Sequence, residues 1–453
     1  MMTSRLIIHA ILCILKYINN LICRSTIPET GVIVDTLLYG LFGDDKLLKL
    51  EYLCQFYHKF GLYKYEKKIY IFDEKMAQTA INKLDKGADH YLEDSPLKDT
   101  FLGSSQKSPE TRRAIASIFR KTSIDERGHI MIRDLDFMCD NIQDVASSSR
   151  AVNITQFSLR LALDIVGHVL LRLDLGGLKG QQNLLLDAMM TILHRCYALA
   201  EITSDSKEFL QATENLDRLT SQILEDALNT NDQNSDDKRL VAQLHEACGF
   251  EQAKDNMKLF LMAGTETTAS TLPVIFYLLT KYPQLQMELQ AEADENMANL
   301  RKDPNFPLPK IESVMKEVLR VYPIAPFISR QNNGPVTLGK VNLQEHSDLI
   351  VFTWGIHRSP YTWDKSTEFI PFRFYETKKT NSNLYIPFGA GSRVCIGQHL
   401  AWLEIRLAIA VLLNKFDFRQ IEETPDLRFV VDWTHAVVHP DKDMLVKAVP
   451  RPA

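Results

Sequence analysis

The stretch GAGSRVCIGQHLAWLEIRLAIAVLL, residues 389–413, places one cysteine in a glycine-rich loop directly before a long apolar run. Three glycines surround Cys395, at positions 389, 391 and 397, and Arg393 lies two residues before it. A core cysteine usually lies within an apolar run, and a disulfide cysteine needs a partner. Cys395 has neither setting, so its surroundings require a chemical explanation.

The composition is that of an ordinary globular protein. The chain has 453 residues, of which 24% are charged and 45% are apolar, and its formal net charge is −5. This balance indicates no nucleic-acid partner. The seven cysteines are scattered and form no Cys-x-x-Cys pair. They therefore argue against a disulfide framework or a structural zinc site and favour a reducing compartment.

Helical patterns dominate and predict a mainly α fold with a minor β region. Helical stretches lie at 155–175, 181–201, 206–228 and about 252–281. Strand patterns are few, and they lie at 67–73, 336–343, 348–354 and 428–433. With no internal repeat and no composition shift, we predict a single large domain over residues 26–453.

The N-terminal segment LIIHAILCILKYINNLIC, residues 6–23, is apolar but short, and polar residues interrupt it. A full membrane span requires about 20 predominantly apolar residues. We predict that residues 1–25 form a membrane anchor, since apolar segments at an extreme N-terminus rarely serve a core. A plain amphipathic helix is the alternative.

The chemistry of Cys395 is open to three interpretations. A helix that begins near Gln398 directs unpaired N–H groups and its positive dipole end toward the loop, and both favour a thiolate. Glycines let the backbone fold closely around the sulfur and let a flat partner approach. From these residues alone, Cys395 is a catalytic nucleophile, a metal ligand or a buried inert thiol.

Read from Phe388, the loop FGAGSRVCIG resembles the haem-binding loop of the cytochrome P-450 superfamily, Phe-x-x-Gly-x-Arg-x-Cys-x-Gly. All five fixed positions match, at Phe388, Gly391, Arg393, Cys395 and Gly397. The resemblance implies that haem b binds here with its iron ligated by the Cys395 thiolate, with Phe388 shielding the sulfur and Arg393 paired with a propionate. A thiolate donates electron density to haem iron and favours O–O cleavage.

A second motif lies in KEVLRVYP, residues 316–323, which places Glu317 and Arg320 at i and i+3 of a predicted helix. Such spacing usually marks a solvated surface pair, but it also resembles the family's Glu-x-x-Arg motif. The third member is then Arg373, preceded by Phe372 where the family most often has an acidic residue. The resemblance implies a structural role for the three charged residues.

A third motif lies in LFLMAGTETTASTLP, residues 259–273, within the long predicted helix. Gly264 costs about 1 kcal/mol relative to alanine in mid-helix, so it indicates either a weak helix interior or room for a ligand. Ala263, Gly264, Glu266 and Thr267 resemble the family's Ala/Gly-Gly-x-Asp/Glu-Thr pattern. The resemblance implies a long central helix over the haem, in which Glu266 and Thr267 are catalytic and deliver protons, and in which a broken helix ladder admits water.

Two further arginines resemble propionate-binding positions of the family. Arg112 lies in SPETRRAIASIF, residues 108–119, which is similar to the family's Trp-x-x-x-Arg helix although Ser108 replaces the tryptophan. Arg330 in PIAPFISR lies where members often place another propionate partner. A surface cation is the alternative for each.

The resemblance covers roughly residues 35–453 and implies a haem-thiolate monooxygenase of eukaryotic type, similar to fungal members. Such an oxidoreductase inserts one oxygen atom from O2 into a hydrophobic small molecule, with secondary metabolism as a candidate setting. Its electrons come from an NADPH-dependent reductase, and it lies on the cytosolic face of the endoplasmic reticulum membrane. A soluble cytoplasmic protein is the alternative to that location.

The resemblance also locates partner surfaces. A cationic face for the reductase is predicted on the Arg112 helix, formed by Arg113, Arg120 and Lys121 at i, i+7 and i+8, with a solvated charged face as the alternative. An apolar substrate pocket is predicted from Phe260, Phe327, Ile328 and Val437. Lys258 is expected to face outward.

Other functions remain to be weighed against this interpretation. A haem-thiolate isomerase or dehydratase needs no external electrons, but such branches tend to lose the acid–threonine pair, and this chain retains Glu266 and Thr267. A non-enzymatic haem sensor would need no proton relay. A zinc hydrolase is excluded, because HEACG at 245–249 has Gly249 where His-Glu-x-x-His requires its second histidine.

Overall fold

The structure is a computed structural model. It describes residues 37–39, 41–42, 45–65, 68–85, 108–180, 183–197, 206–229, 240–376, 385–432 and 437–452, together with residues 27 and 100. The predicted anchor, residues 1–25, lies outside the described residues.

The helices are α1 (Lys46–Phe56), α2 (Glu74–Lys83), α3 (Ser108–Ile115), α4 (Lys121–Asp125), α5 (Gly128–Ser147), α6 (Ile154–Ile165), α7 (Leu184–Tyr197), α8 (Lys207–Asn229), α9 (Leu240–Lys281), α10 (Pro283–Lys302), α11 (Pro309–Val321), α12 (Thr353–His357), α13 (Arg373–Glu376) and α14 (Gln398–Lys415). A π-helix, Val166–Leu171, continues α6, and a 3₁₀ turn covers Gly391–Arg393. The strands are β1 (Leu62–Tyr65), β2 (Lys68–Ile71), β3 (Val152–Asn153), β4 (Phe327–Gln331), β5 (Val336–Leu338), β6 (Val341–Leu343), β7 (Asp348–Phe352), β8 (Phe416–Arg419), β9 (Phe429–Asp432), β10 (Val437–Pro440) and β11 (Leu445–Pro450).

The chain divides into two compact units. The first contains the described residues before position 90, Leu319–Phe369 and Lys379–Val394; the second contains His90–Val318, Ile370–Lys378 and Cys395–Ala453. The single domain expected over residues 26–453 stays a prediction.

The first unit is built around a four-stranded sheet in the order β1-β2-β7-β4. β1 pairs antiparallel with β2, β2 pairs parallel with β7, and β4 pairs antiparallel with β7. Strand β7 is central and apolar, with Leu349 and Val351 fully buried, as expected for a strand covered on both faces. The hairpin β5–β6 turns at Gly339, whose φ of 59° favours glycine.

The second unit is built around α9, which packs against α3, α6, α8 and α14. Most of its residues between Met257 and Leu279 are buried on all sides, and polar residues are among them, as in a helix enclosed by others. The strands β3, β11 and β8 form a small sheet, and β9 pairs with β10. Together the two units confirm the predicted fold class, mainly α with a minor β region.

Most predicted elements are present, but the break in the helix ladder of α9 was predicted at the wrong place. The non-helical residue inside α9 is Gly249, with φ 76° and ψ 174°, and not a residue near Thr267. The helix ladder therefore breaks before the motif and not within it, because Gly249 adopts a backbone conformation that other residues avoid.

Two described helical segments, Ile154–Leu171 and Leu240–Lys281, are long and apolar enough to cross a membrane by length and composition. Their apolar windows are 72% and 83% buried inside the protein, as in core helices. Lys258 of α9, expected to face outward, is 6% exposed, and its Nζ pairs with Asp217 and Asp255 at 2.5 and 2.9 Å. That expectation was wrong, because two carboxylates compensate the buried charge.

Candidate functional site

Cys395 lies between the 3₁₀ turn and the first residue of α14. Gly397 is the N-cap of α14 and supplies no side-chain cap. The Gln398 N–H donates to the Cys395 carbonyl at 3.4 Å, and the Ala401 N–H donates to the Gly397 carbonyl at 2.9 Å. The cysteine thus stands directly before a helix that begins at Gln398, as the sequence predicts.

Cys395 is an exposed residue, whereas Cys54 and Cys139 are buried. Protein atoms nevertheless surround the sulfur and desolvate it, which raises the pKa of the thiol above its usual value. A hydrogen bond from Gly397 and the positive charge of Arg112 lower that pKa, but by less than desolvation raises it. The helix terminus alone does not produce a thiolate here, and a metal cation bound at the sulfur would supply the missing stabilisation.

The loop before the cysteine belongs to the first unit, where Phe388 and Arg393 are half-buried. Gly391 has φ 69°, and a Cβ built on it would lie 2.8 Å from Asn82 Oδ1 of α2. Only glycine satisfies both constraints without strain. Gly391 is therefore explained by backbone conformation and close packing.

The two candidate propionate-binding arginines lie in different units. Arg112 of α3 is half-buried, and its charge acts on Cys395 within the second unit. Arg330 of β4 is buried in the first unit, where its Nη1 donates to the Ser329 carbonyl at 2.8 Å. The structure thus brings Arg112 and Cys395 together, and neither arginine is a fully exposed cation.

The predicted cationic helix face is wrong. Helix α3 ends at Ile115, and Arg120 is the N-cap residue of the next helix, α4, which Lys121 begins. Lys121 pairs with Asp125 at 2.6 Å. Arg113, Arg120 and Lys121 are exposed, but the spacing i, i+7 and i+8 defines one face only along an uninterrupted helix.

Between Asn256 and Thr280, helix α9 is open over a single turn. Ala263 is exposed and Gly264 and Thr267 are half-buried, whereas Phe260 and Thr271, one turn away on either side, are buried. Positions i, i+1 and i+4 lie on one side of a helix. They form an accessible window, defined here by Ala263, Gly264 and Thr267, in a stretch of the helix that is otherwise buried.

Two contacts lie at the window. A Cβ on Gly264 would lie 2.7 Å from Val166 Cγ2 of the π-helix, so this glycine permits close helix packing. The room for a ligand expected at Gly264 stays a prediction. Thr267 Oγ1 donates to the Ala263 carbonyl at 2.9 Å. Glu266, the next residue toward the N-terminus from Thr267, is buried.

Glu317 is fully buried in α11. It accepts hydrogen bonds from the Ile370 N–H at 2.9 Å and from Arg373 Nε at 3.1 Å. Arg320, on the same helix but in the first unit, is also fully buried and donates to three backbone carbonyls, those of His357, Ser366 and Glu368. A solvated surface pair is therefore excluded for Glu317 and Arg320.

Sequence reasoning missed a buried carboxyl on α14. Glu404 is 1% exposed, and its Oε2 accepts a hydrogen bond from Thr268 Oγ1 at 3.5 Å. Burial raises the pKa of this carboxyl to about 8. The signal available in the sequence was a charged residue inside an apolar helix, which is almost always paired when buried.

These residues fit a haem ligated by cysteine. The second unit presents a reachable thiol in desolvated surroundings, a backbone donor at the sulfur, and a neighbouring guanidinium for an anionic substituent. It also presents the open window of α9.

Comparisons with known proteins agree with this fit. The family model of cytochrome P-450 matches residues 44–447. Cytochrome P-450 3A6 of Oryctolagus cuniculus is 25% identical over 390 residues, which cover 78% of this chain and 76% of the relative. LUTEIN DEFICIENT 5, chloroplastic, of Arabidopsis thaliana is 27% identical over 72% of this chain, and cytochrome P-450 3A41 of Mus musculus is 32% identical over 46% of it. The chain spans 60% and 42% of the length of these last two relatives.

Proposed function

The chain belongs to the cytochrome P-450 family, and from this premise we propose that it is a monooxygenase that inserts one oxygen atom from O2 into a hydrophobic small molecule. Members of the family are oxidoreductases that bind haem b through a cysteine thiolate. The proposal includes an NADPH-dependent reductase as the electron source. The monooxygenase proposal rests on Cys395: the residue is exposed, its sulfur is desolvated, and the charge of Arg112 acts on it.

In this proposal Cys395 is the iron ligand, and the Gly397 N–H remains directed at its sulfur. Haem bound there supplies the activation of O2. As the resemblance implies, Arg112, Arg330 and Arg393 are the propionate partners. Phe388 and Gly391 complete the ligand loop, and Glu317, Arg320 and Arg373 are structural.

The window of α9 supplies the proposed proton delivery. The Thr267 hydroxyl holds its proton toward the Ala263 carbonyl at 2.9 Å, so it can turn toward a ligand in the window at the cost of one hydrogen bond. Glu266 lies beside it in the buried part of the helix and is the proposed acid. A nearby hydroxyl and carboxyl can transfer protons to a bound ligand.

Replacing Thr267 with alanine should uncouple reductant consumption from product formation. Haem and substrate binding should change little, because among the described residues the hydroxyl bonds a backbone carbonyl of its own helix. Product should fall by about tenfold or more, since positioned proton transfer contributes at least that much, while hydrogen peroxide rises. NADPH oxidation, peroxide and product are measured together with a reconstituted reductase.

The matched control is Thr213→Ala in α8, because Thr213 Oγ1 makes the same bond to the Phe209 carbonyl at 2.9 Å. It should remain as well coupled as the wild type. The competing isomerase or dehydratase consumes no reductant. Turnover of substrate by the wild type without NADPH, or full coupling in the Thr267 variant, would contradict the monooxygenase.

We also propose that residues 1–25 attach the protein to the endoplasmic reticulum membrane, with the apolar segment 6–23 as support. Deleting residues 1–25 should move the protein from the membrane pellet to the supernatant and leave its haem spectrum intact. Fractionation of cells that express both forms measures this. Full-length protein that is soluble without detergent would contradict the anchor and favour a soluble cytoplasmic protein.

A further inference from the structure

His357 is the last residue of α12, and none of its surface is exposed. Its ring stacks on that of Tyr385, with the ring centroids 5.6 Å apart. Its Nε2 accepts a hydrogen bond from the Ile386 N–H at 2.9 Å, and its backbone carbonyl accepts one from Arg320 Nη1 at 2.7 Å. Within the first unit, His357 therefore connects the arginine of the Glu-x-x-Arg motif with the chain directly before Phe388.

The bond to Ile386 determines which ring nitrogen of His357 carries the proton. A backbone N–H can only donate, so Nε2 must keep its lone pair, and in a neutral imidazole the proton then lies on Nδ1. Burial is the main cause that lowers the pKa of His357, to about 3; the charge of Arg320 adds to this effect, and the backbone of Leu319 and Arg320 opposes it. The ring is therefore neutral near neutral pH, and its Nε2 is always available as an acceptor there.

Ile386 begins the tight turn that contains Phe388. The Gly389 N–H donates to the Ile386 carbonyl at 3.0 Å, and Gly389 has φ 72°. Pro387 occupies the second position of the turn, where its fixed φ is favourable. The bond inside the turn defines its shape but attaches it to nothing else. The bond from the Ile386 N–H to His357 attaches the turn to α12.

We propose that His357 is a positioning residue that holds the Phe388 turn of the ligand loop in place by accepting the Ile386 N–H. This inference deepens the proposed function and rests on its assignment of Cys395 as the iron ligand. His357 acts through Ile386 and not on the reacting atoms. Loss of the acceptor should loosen the turn and displace Phe388, the residue proposed to shield the sulfur, so that water reaches the ligand.

Two substitutions separate the acceptor from the packing of the ring. Leucine fills much of the same space in His357→Leu but cannot accept a hydrogen bond. In His357→Gln, the side-chain carbonyl oxygen can take the place of Nε2 and accept the Ile386 N–H. The matched control is Gln286→Leu in the second unit, because Gln286 is 2% exposed and its Oε1 accepts the Phe418 N–H at 2.7 Å. It loses a similar buried bond at a site outside the ligand loop.

The first test needs neither haem nor turnover. Hydrogen–deuterium exchange of the full-length protein, read at single residues, should be about tenfold faster at the Ile386 N–H in His357→Leu than in the wild type, since one buried hydrogen bond is lost. The rate in His357→Gln should stay within about threefold of the wild type, and Gln286→Leu should not change it. An unchanged rate in His357→Leu, or equally fast exchange in both His357 variants, would overturn the proposal.

The second test uses the wild-type ring itself and so does not depend on whether His357→Leu folds. In nitrogen-15 NMR spectra of protein labelled at its 12 histidines, the signals absent from His357→Gln identify His357. They should show a protonated Nδ1 and a bare Nε2 that stay unchanged between about pH 5 and 8, because burial lowers the pKa to about 3. A proton on Nε2, or a titration within this range, would overturn the proposal.

The third test reads the iron ligand. In reduced protein under carbon monoxide, His357→Leu should lower the ratio of the red-shifted to the unshifted Soret band by about tenfold, as expected for one lost hydrogen bond. His357→Gln should restore the ratio, and Gln286→Leu should keep it. An unchanged ratio in His357→Leu would count against the positioning role. A wild type without the red-shifted band would count against the proposed function instead, and the exchange and NMR tests would still decide whether His357 holds the turn.

Discussion

Replacing Cys395 with serine is expected to abolish the strongly red-shifted Soret band that a thiolate-ligated haem shows when reduced under carbon monoxide. A serine hydroxyl is not ionised near neutral pH and cannot donate electron density as a thiolate does. The helical signal should largely survive, because Cys395 is an exposed residue that lies before α14 and outside the core. Optical and circular dichroism spectra of the two proteins measure this.

Cys248→Ser is the matched control for Cys395→Ser. Cys248 is half-buried, and its Sγ donates to the Leu244 carbonyl at 3.0 Å, a bond that serine can also make. This variant should keep the red-shifted band. A wild-type spectrum like that of a histidine-ligated haem would exclude Cys395 as the ligand.

Replacing Glu317 with alanine should destabilise the protein by about 3–5 kcal/mol, because removal of one partner leaves the other charge buried and uncompensated. Glu317 has no exposed surface, and the partners that lose it include the Arg373 guanidinium, 13% exposed, and the Ile370 N–H. Denaturant unfolding of the full-length protein measures the free energy of unfolding.

Arg301→Ala is the control for the Glu317 variant. It removes an ion pair with Asp136 whose side chains are 41% and 39% exposed, and such pairs contribute about 1 kcal/mol or less. If Glu317→Ala lowers the free energy of unfolding by no more than Arg301→Ala does, the buried pair does not have the structural role proposed for it.

Local features of the sequence were sufficient for about half of the described helices and strands. Hydrophobic periodicity predicted α7 and α8 within a few residues, and the Gly339 turn predicted the β5–β6 hairpin. The short strands β3 and β8 were missed, because each is defined by its pairing with β11 and not by a pattern of its own.

By itself, the sequence determined the family, the cysteine before a helix and the Glu266–Thr267 motif, because each depends on residues that are close together in the chain. The tertiary structure decided the rest. At Cys395, desolvation raises the pKa of the thiol even though a helix begins nearby. Val166 lies where a side chain at position 264 would be. Asp217 forms an ion pair with the buried Lys258. Glu404 meets Thr268 only because α14 packs against α9. Burial and charge compensation depend on which distant segments pack together, and local patterns do not contain that information.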